Sequence, residues 1–220
     1  FMLANKLYGL NFTPNDKIEV YHPDVTAYDV TDENGRFMAV LYLDFFPRES
    51  KRSGAWMTEF RGTKIEDGEE TRPLVSLVMN FTKPTETAPS LLTFDELETF
   101  LHEFGHALHG MLGEGKYESQ TGTNVYRDFV ELPSQLMENW ATEKEFLDLW
   151  AVHYETGEPM PAEIVDRIVA AQNYLAAYAN VRQLSFGMTD MAWHTLTEPF
   201  EGDVEQFEAV SMAPTQVLPV

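Results

Sequence analysis

Two histidines and a glutamate stand close together in the segment LHEFGHALHG (101–110). In a helix, His102 and His106 lie on one face about 6 Å apart along the axis, so both imidazoles can bind a single ion. Glu103 points about 100° away from His102, beside such an ion, where its carboxylate can accept a proton from a metal-bound water. The H-E-x-x-H pattern therefore predicts a metal site with a general base, as in metalloproteases.

A catalytic zinc site needs a third protein ligand and an open position for water. The chain has no cysteine, so that ligand must be a histidine or a carboxylate. Spacing alone allows Asp128, Glu131 and Glu138, which follow a glycine-rich connection. A fourth side chain would close the site to water, so we expect His109 to have a structural role or to support a ligand without binding the ion. Without a third ligand, the alternative is a helix whose histidines bond to backbone carbonyls.

A helix is predicted independently around the two histidines. Thr93 and Glu96 fit a capping box, which marks a helix N-terminus. Apolar residues then follow at helical spacing: Leu97, Phe100, Leu101, Phe104 and Leu108. We expect this helix to end between Gly110 and Gly115, where glycines cluster.

More helices are expected after the histidine helix. Residues 128–154 predict a second helix, kinked near Pro133 because proline cannot donate a backbone hydrogen bond. Residues 161–196 predict one long helix or two in tandem, and residues 203–212 predict a last short one. These segments make the second part of the chain mainly helical.

Strand and turn signals dominate the first part of the chain. Residues 25–30 and 36–46 are β-branched and aromatic runs, separated by the Asn34-Gly35 pair, a strong hairpin signal. Residues 71–81 form a third apolar run. We therefore expect a small antiparallel sheet in front of the histidine helix.

The run VMNF (78–81) ends this strand-rich part. It could be an edge strand that pairs with an extended peptide, or an interior strand of the sheet. The segment KIEDGEE (64–70) reads as an acidic loop. The fold class that follows is α+β and mainly helical, with residues 1–92 mostly strands and loops and residues 93–220 helical and metal-bearing.

The overall charge excludes several kinds of partner. Thirty-six acidic residues against fifteen basic ones give a net charge of −21, which argues against binding to nucleic acid or to an anionic membrane. No apolar run is long enough to span a bilayer, and no signal peptide is recognisable. The first residues, FMLANKLYGL, resemble an internal piece of a longer chain, and we expect a cytoplasmic protein.

Two segments together resemble one enzyme family. HEFGHALHG, followed by SQTGTNVYRDFVELPSQLMENWA (119–141), is similar to the thimet oligopeptidase family of zinc peptidases. The similarity extends to YHPDV (21–25), DFFPRESKRSGAW (44–56) and MNFTKP (79–84). The stretch SQTGTNVYRDF resembles the bacterial peptidyl-dipeptidase branch most, with an endo-acting oligopeptidase of the same family as the alternative. An inactive binding module that keeps only the helix pair is the alternative from another class.

The resemblance implies a complete set of site residues. His102, His106 and Glu131 would bind Zn²⁺, and Glu103 would be the general base. The substrates would be short peptides. Members of the family are longer than this chain, so we expect the remainder of a full-length peptidase as its partner and weak or no activity from this core alone.

Two carboxylates that do not bind the metal could support its ligands. Glu98 lies four residues before His102 on the same helical face, so it could accept a hydrogen bond from the second nitrogen of that imidazole. Asp128 could orient a ligand or cap the second helix.

Overall fold

The structure is a computed structural model that describes residues 1–217. It contains two compact units, Phe1–Met160 and Pro161–Val220. The first unit contains all the strands found within residues 1–217, which are β1 (Asn11–Pro14), β2 (Thr26–Thr31), β3 (Phe37–Asp44), β4 (Trp56–Arg61), β5 (Lys64–Glu66), β6 (Glu69–Thr71) and β7 (Leu74–Val78). Its helices are α1 (Met2–Tyr8), α2 (Phe94–Leu112), α3 (Arg127–Glu138) and α4 (Lys144–Leu147).

Five strands form one sheet in the order β1-β2-β3-β7-β4. The predicted hairpin between β2 and β3 is confirmed: Asp32 Oδ1 accepts from the backbone N–H groups of Asn34 and Arg36, and Gly35 has a φ of 80°. The prediction of a purely antiparallel sheet is wrong, because β3 and β7 are parallel. The chain reverses after β3 into β4, and β7 then fills the space between them, antiparallel to β4.

This insertion decides which strand lies at the edge. The edge-strand alternative for VMNF is wrong, because β7 lies between β3 and β4 and ends at Val78. The edge strand on this side is β4. In the described part of the chain, no strand pairs with its outer edge.

The acidic segment 64–70 is also more ordered than predicted. It lies in the hairpin of β5 and β6, whose turn residues Asp67 and Gly68 have φ angles of 52° and 84°. Positive φ at both central residues is typical of a type I′ turn, for which Asp-Gly is a preferred pair. The Asp67-Gly68 pair is therefore a hairpin signal, and the prediction of a loop overlooked it because it was based on the charge of the segment.

Helix α2 begins as predicted. Glu96 N–H donates to Thr93 Oγ1 at 3.2 Å, and Thr93 N–H donates to Glu96 Oε2 at 2.8 Å, which is the reciprocal capping box. The helix ends at Leu112, just before Gly113. Its apolar face, which includes Leu101, Phe104 and Leu108, packs into the core under the sheet. The position of the two histidines is thus fixed by both the cap and the core.

The predicted second helix is shorter than expected. Helix α3 includes Pro133 and ends at Glu138, followed by a 3-10 turn at Asn139–Thr142 and the short α4. The prediction of helix through residue 154 is wrong. The Asn139 amide donates to the carbonyls of Gln135 and Leu136, and such local side-chain bonds compete with helical backbone bonds.

In the part of the chain that the structure describes, the second unit contains three α-helices, α5 (Ala162–Gln172), α6 (Ala176–His194) and α7 (Val204–Met212). The two-helix alternative for residues 161–196 is correct, with a break where Leu175 has a φ of 54°. The predicted short helix is confirmed as α7, which Asp203 caps by accepting from Gln206 N–H at 2.9 Å. The α+β, mainly helical fold class is therefore confirmed. Within residues 1–217, no helix is long and apolar enough to cross a membrane.

Candidate metal centre

The backbones of α2 and α3 touch at Gly105. A Cβ atom placed there would lie 2.6 Å from both the carbonyl oxygen of Pro133 and the Cα of Ser134. Only glycine allows this approach, since the obstructing atoms belong to the backbone of α3. The contact brings the face of α3 that carries Glu131 against the two histidines of α2.

Three side chains converge across this contact. Glu131 Oε2 lies 3.2 Å from His102 Nε2 and 3.0 Å from His106 Nε2. The two imidazole rings are 4.9 Å apart between centroids and nearly perpendicular. Of the three carboxylates that spacing allowed as third ligand, Glu131 is the one that reaches both histidines.

The separations suit a small ion with tetrahedral coordination. Zinc bonds of about 2.0–2.1 Å place two ligands of one tetrahedral ion about 3.3 Å apart. The three side chains each offer one ligand atom, and these atoms lie within 4.8 Å of one another. Burial lowers the pKa of His106, which keeps its imidazole neutral and able to donate a lone pair. The donor set of two imidazoles and one carboxylate therefore fits zinc, with a fourth position left for water.

The second nitrogen of His102 contacts Glu138, which the sequence analysis considered only as a third metal ligand. His102 Nδ1 lies 2.6 Å from Glu138 Oε1. Glu98 makes no hydrogen bond to His102 in the described part of the chain, and burial raises the pKa of its carboxyl, with the nearby Glu138 adding to the effect. Glu138 follows Glu131 by seven residues, two helical turns, so the spacing within α3 was the signal that could have identified it.

Ser134 supports Glu131 in a similar way. Its hydroxyl donates to Glu131 Oε2 at 2.8 Å. Burial alone would raise the pKa of Glu131, but the Ser134 hydroxyl and the two imidazoles hold it below its ordinary value. The carboxylate thus stays ionised and oriented, as a metal ligand must be.

Glu103 is buried beside the cluster, outside the set of three converging ligand atoms. Burial raises the pKa of its carboxyl above the ordinary value, and the nearby His102 imidazole and the backbone N–H of Met57 on β4 offset only part of this rise. A carboxylate with a raised pKa is a better proton acceptor, which is the property required of a general base.

Comparison with known proteins assigns the chain to a family. The sequence profile of peptidase family M3 matches residues 1–213. The chain belongs to peptidase family M3. It is 41% identical to a dipeptidyl carboxypeptidase of Salmonella typhimurium over 216 residues, which cover 97% of this chain and 31% of that protein.

Relatives that are named oligopeptidase A match equally well. Oligopeptidase A of Escherichia coli is 42% identical over 204 residues, covering 92% of this chain and 30% of the relative. An organellar oligopeptidase A of Arabidopsis thaliana is 40% identical over 230 residues, covering 100% and 29%. The M3 chain therefore spans under a third of the length of these relatives.

Two other predicted residues of the M3 chain lie outside the cluster. Asp128 is exposed in the first turn of α3, and the N-cap is Tyr126, so Asp128 lies too far into the helix to cap it. Within residues 1–217, its side chain makes no hydrogen bond to His102, His106 or Glu131. His109 packs its ring 6.2 Å from that of Phe129, and its Nδ1 has no partner within residues 1–217.

Proposed function

We propose that the full-length protein hydrolyses short peptides at a zinc ion bound by His102, His106 and Glu131. The observation that supports this most is the convergence of two imidazoles and one carboxylate across the α2–α3 contact. When bound, zinc supplies a Lewis acid that polarises the scissile carbonyl and acidifies water. An inactive binding module would have no need for this donor set with Glu103 beside it.

The chain's own residues supply the proton transfers. Glu103 takes the proton of the attacking water and delivers it to the leaving amine, and its raised pKa favours the first of these transfers. Glu138 accepts the N–H of His102 and so fixes which nitrogen faces the site. Ser134 holds the carboxylate of Glu131 by a donated hydrogen bond.

The outer edge of β4, with which no strand of residues 1–217 pairs, offers a place for an extended substrate. A peptide that pairs with this edge would gain main-chain hydrogen bonds without regard to its side chains. The backbone N–H of Met57, on the same strand, contributes to the environment of the Glu103 carboxylate. A peptide bound along β4 would therefore pass close to the general base.

We further propose release of dipeptides from the C-terminus. The SQTGTNVYRDF stretch supports this choice, and one relative is named a dipeptidyl carboxypeptidase. Endo-acting cleavage is the alternative, supported by the relatives named oligopeptidase A. We also propose that the protein acts in the cytoplasm, as the name of a probable cytosolic oligopeptidase A that is 40% identical suggests.

The test uses the full-length enzyme and an N-blocked peptide. We expect dipeptides as the first products, whereas longer first products would indicate an endopeptidase. Glu103→Gln should keep the zinc and abolish turnover, because the amide cannot accept the proton. Turnover retained by this variant would remove Glu103 from the mechanism, and zinc lost from it would assign Glu103 to the metal instead.

A further inference from the structure

A second half-buried carboxylate lies outside the metal cluster. Glu59, on the edge strand β4, accepts hydrogen bonds at Oε1 from the backbone N–H of Thr123 at 3.3 Å and from its hydroxyl at 3.4 Å. No lysine, arginine or histidine pairs with this carboxylate within residues 1–217. The mechanism proposed above gives it no role.

Two glycines make room for this side chain. A Cβ at Gly110, on α2, would lie 2.7 Å from Glu59 Oε1, and a Cβ at Gly122 would also collide with that oxygen. Gly122 has a φ of 56°, a conformation that glycine adopts readily. The carboxylate therefore sits directly against the backbone of the histidine helix and of the loop that leads from α2 to α3.

Three more hydrogen bonds join the same two segments. Gly62 N–H donates to Glu118 Oε1 at 2.7 Å, and the Thr121 hydroxyl donates to the Thr63 carbonyl at 3.0 Å. The Ile65 N–H donates to the Lys116 carbonyl at 3.0 Å. We call the contact between residues 59–65 and 116–123 the strand–loop seam.

The seam joins two parts that the reaction needs. One is β4, whose outer edge pairs with no strand of residues 1–217 and whose Met57 N–H lowers the pKa of Glu103. The other is the loop between the two metal-bearing helices. Glu59 is the seam residue nearest to Met57 along β4, so its bonds to Thr123 tie the strand to the loop close to where the peptide would pass the general base.

We propose that Glu59 is a positioning residue that holds the edge strand β4 against the loop that leads from α2 to α3, so that the outer edge of the strand is held in place to bind a peptide. This role rests on the peptide hydrolysis proposed above. Glu59 acts as a hydrogen-bond acceptor for Thr123, and its negative charge is not required. The effect of its loss falls on peptide binding and leaves the three metal ligands in place.

The test compares Glu59→Ala with Glu59→Gln in the full-length enzyme. In Glu59→Ala we expect KM for an extended peptide to rise by up to about tenfold, the size that corresponds to loss of one ordinary hydrogen bond. We expect kcat and zinc content to stay at the parent values. Glu59→Gln keeps an oxygen acceptor of the same reach, so it should restore the parent KM. The matched control is Glu66→Gln, an exposed carboxylate on β5 that pairs with Lys64 and should leave KM unchanged.

A second readout does not depend on activity. Amide hydrogen exchange in β4 and in residues 116–123 should be faster in Glu59→Ala and normal in Glu59→Gln, with exchange in α2 unchanged in both. If the parent enzyme cleaves no peptide, the proposed function fails while this exchange result still tests the seam. Unchanged KM and unchanged exchange in Glu59→Ala would overturn the positioning role. A Glu59→Gln variant as impaired as Glu59→Ala, or loss of zinc from either, would also overturn it.

Discussion

Replacing Gly105 with alanine should push apart the two helices that carry the candidate metal ligands. The new Cβ would lie 2.6 Å from the Pro133 carbonyl oxygen and from the Ser134 Cα, whereas ordinary contact begins at 3.4 Å. Both obstructing atoms belong to the backbone, so no side-chain rotation can relieve the overlap. Helix α3 must therefore move by about 0.8 Å or more, the difference between these two distances.

Such a displacement has a cost in stability and a larger one in function. Overpacking of this kind destabilises by about 1–3 kcal/mol, and the higher helix propensity of alanine returns at most about 1 kcal/mol. Glu131 Oε2 now lies 3.0 Å from His106 Nε2, and a shift of this size would break the convergence of the ligand atoms. A misplacement of about 1 Å at a catalytic site can lower the rate about 100-fold.

The assay is zinc titration against a competing chelator, with urea unfolding of the same samples. We expect weaker zinc binding and lower stability in Gly105→Ala. The matched control is Gly187→Ala in α6, where an added Cβ meets no atom within 4 Å. That control should gain up to about 1 kcal/mol of stability and keep its zinc affinity. Parent-like zinc affinity in Gly105→Ala would refute the close helix contact as the basis of the site.

Two further predictions concern buried polar groups. The side chain of Lys51 is almost fully buried and donates to the Asp44 carboxylate, to the carbonyl of Phe46 and to that of Met79, so Lys51→Met should cost about 3 kcal/mol. A lowered urea midpoint would show this cost, and an unchanged midpoint would count against the ion pair as a source of stability. Glu138→Ala removes the acceptor from His102 Nδ1 and should weaken zinc binding about tenfold or more in chelator competition. Equal zinc affinity in parent and variant would show that the contact is incidental.

Local signals predicted the helix that carries the histidines. Its start depends on Thr93 and Glu96, three residues apart, and its buried face depends on a repeat within the same segment. Both are properties of neighbours in sequence, so the bounds of α2 could be read without the structure. The Asn34-Gly35 hairpin was predictable for the same reason.

Features that depend on segments distant in sequence were harder to predict from the sequence. Spacing left three carboxylates as candidates for the third ligand, and the contact of Gly105 with Pro133 is what brings Glu131 to the histidines. The partner of His102 lies 36 residues away on another helix, whereas the predicted Glu98 lay on its own helix. The insertion of β7 beside β3 depends on the whole path of the sheet, which no local pattern encodes.

Zinc content of the full-length protein tests the central claim most directly. The parent, His106→Ala and Glu131→Ala would be purified in parallel and measured by metal mass spectrometry. The proposed site predicts near-stoichiometric zinc in the parent and its loss from both variants, because each removes one of three converging ligands. Zinc that survives Glu131→Ala at the parent level, or a parent that binds none, would contradict the site.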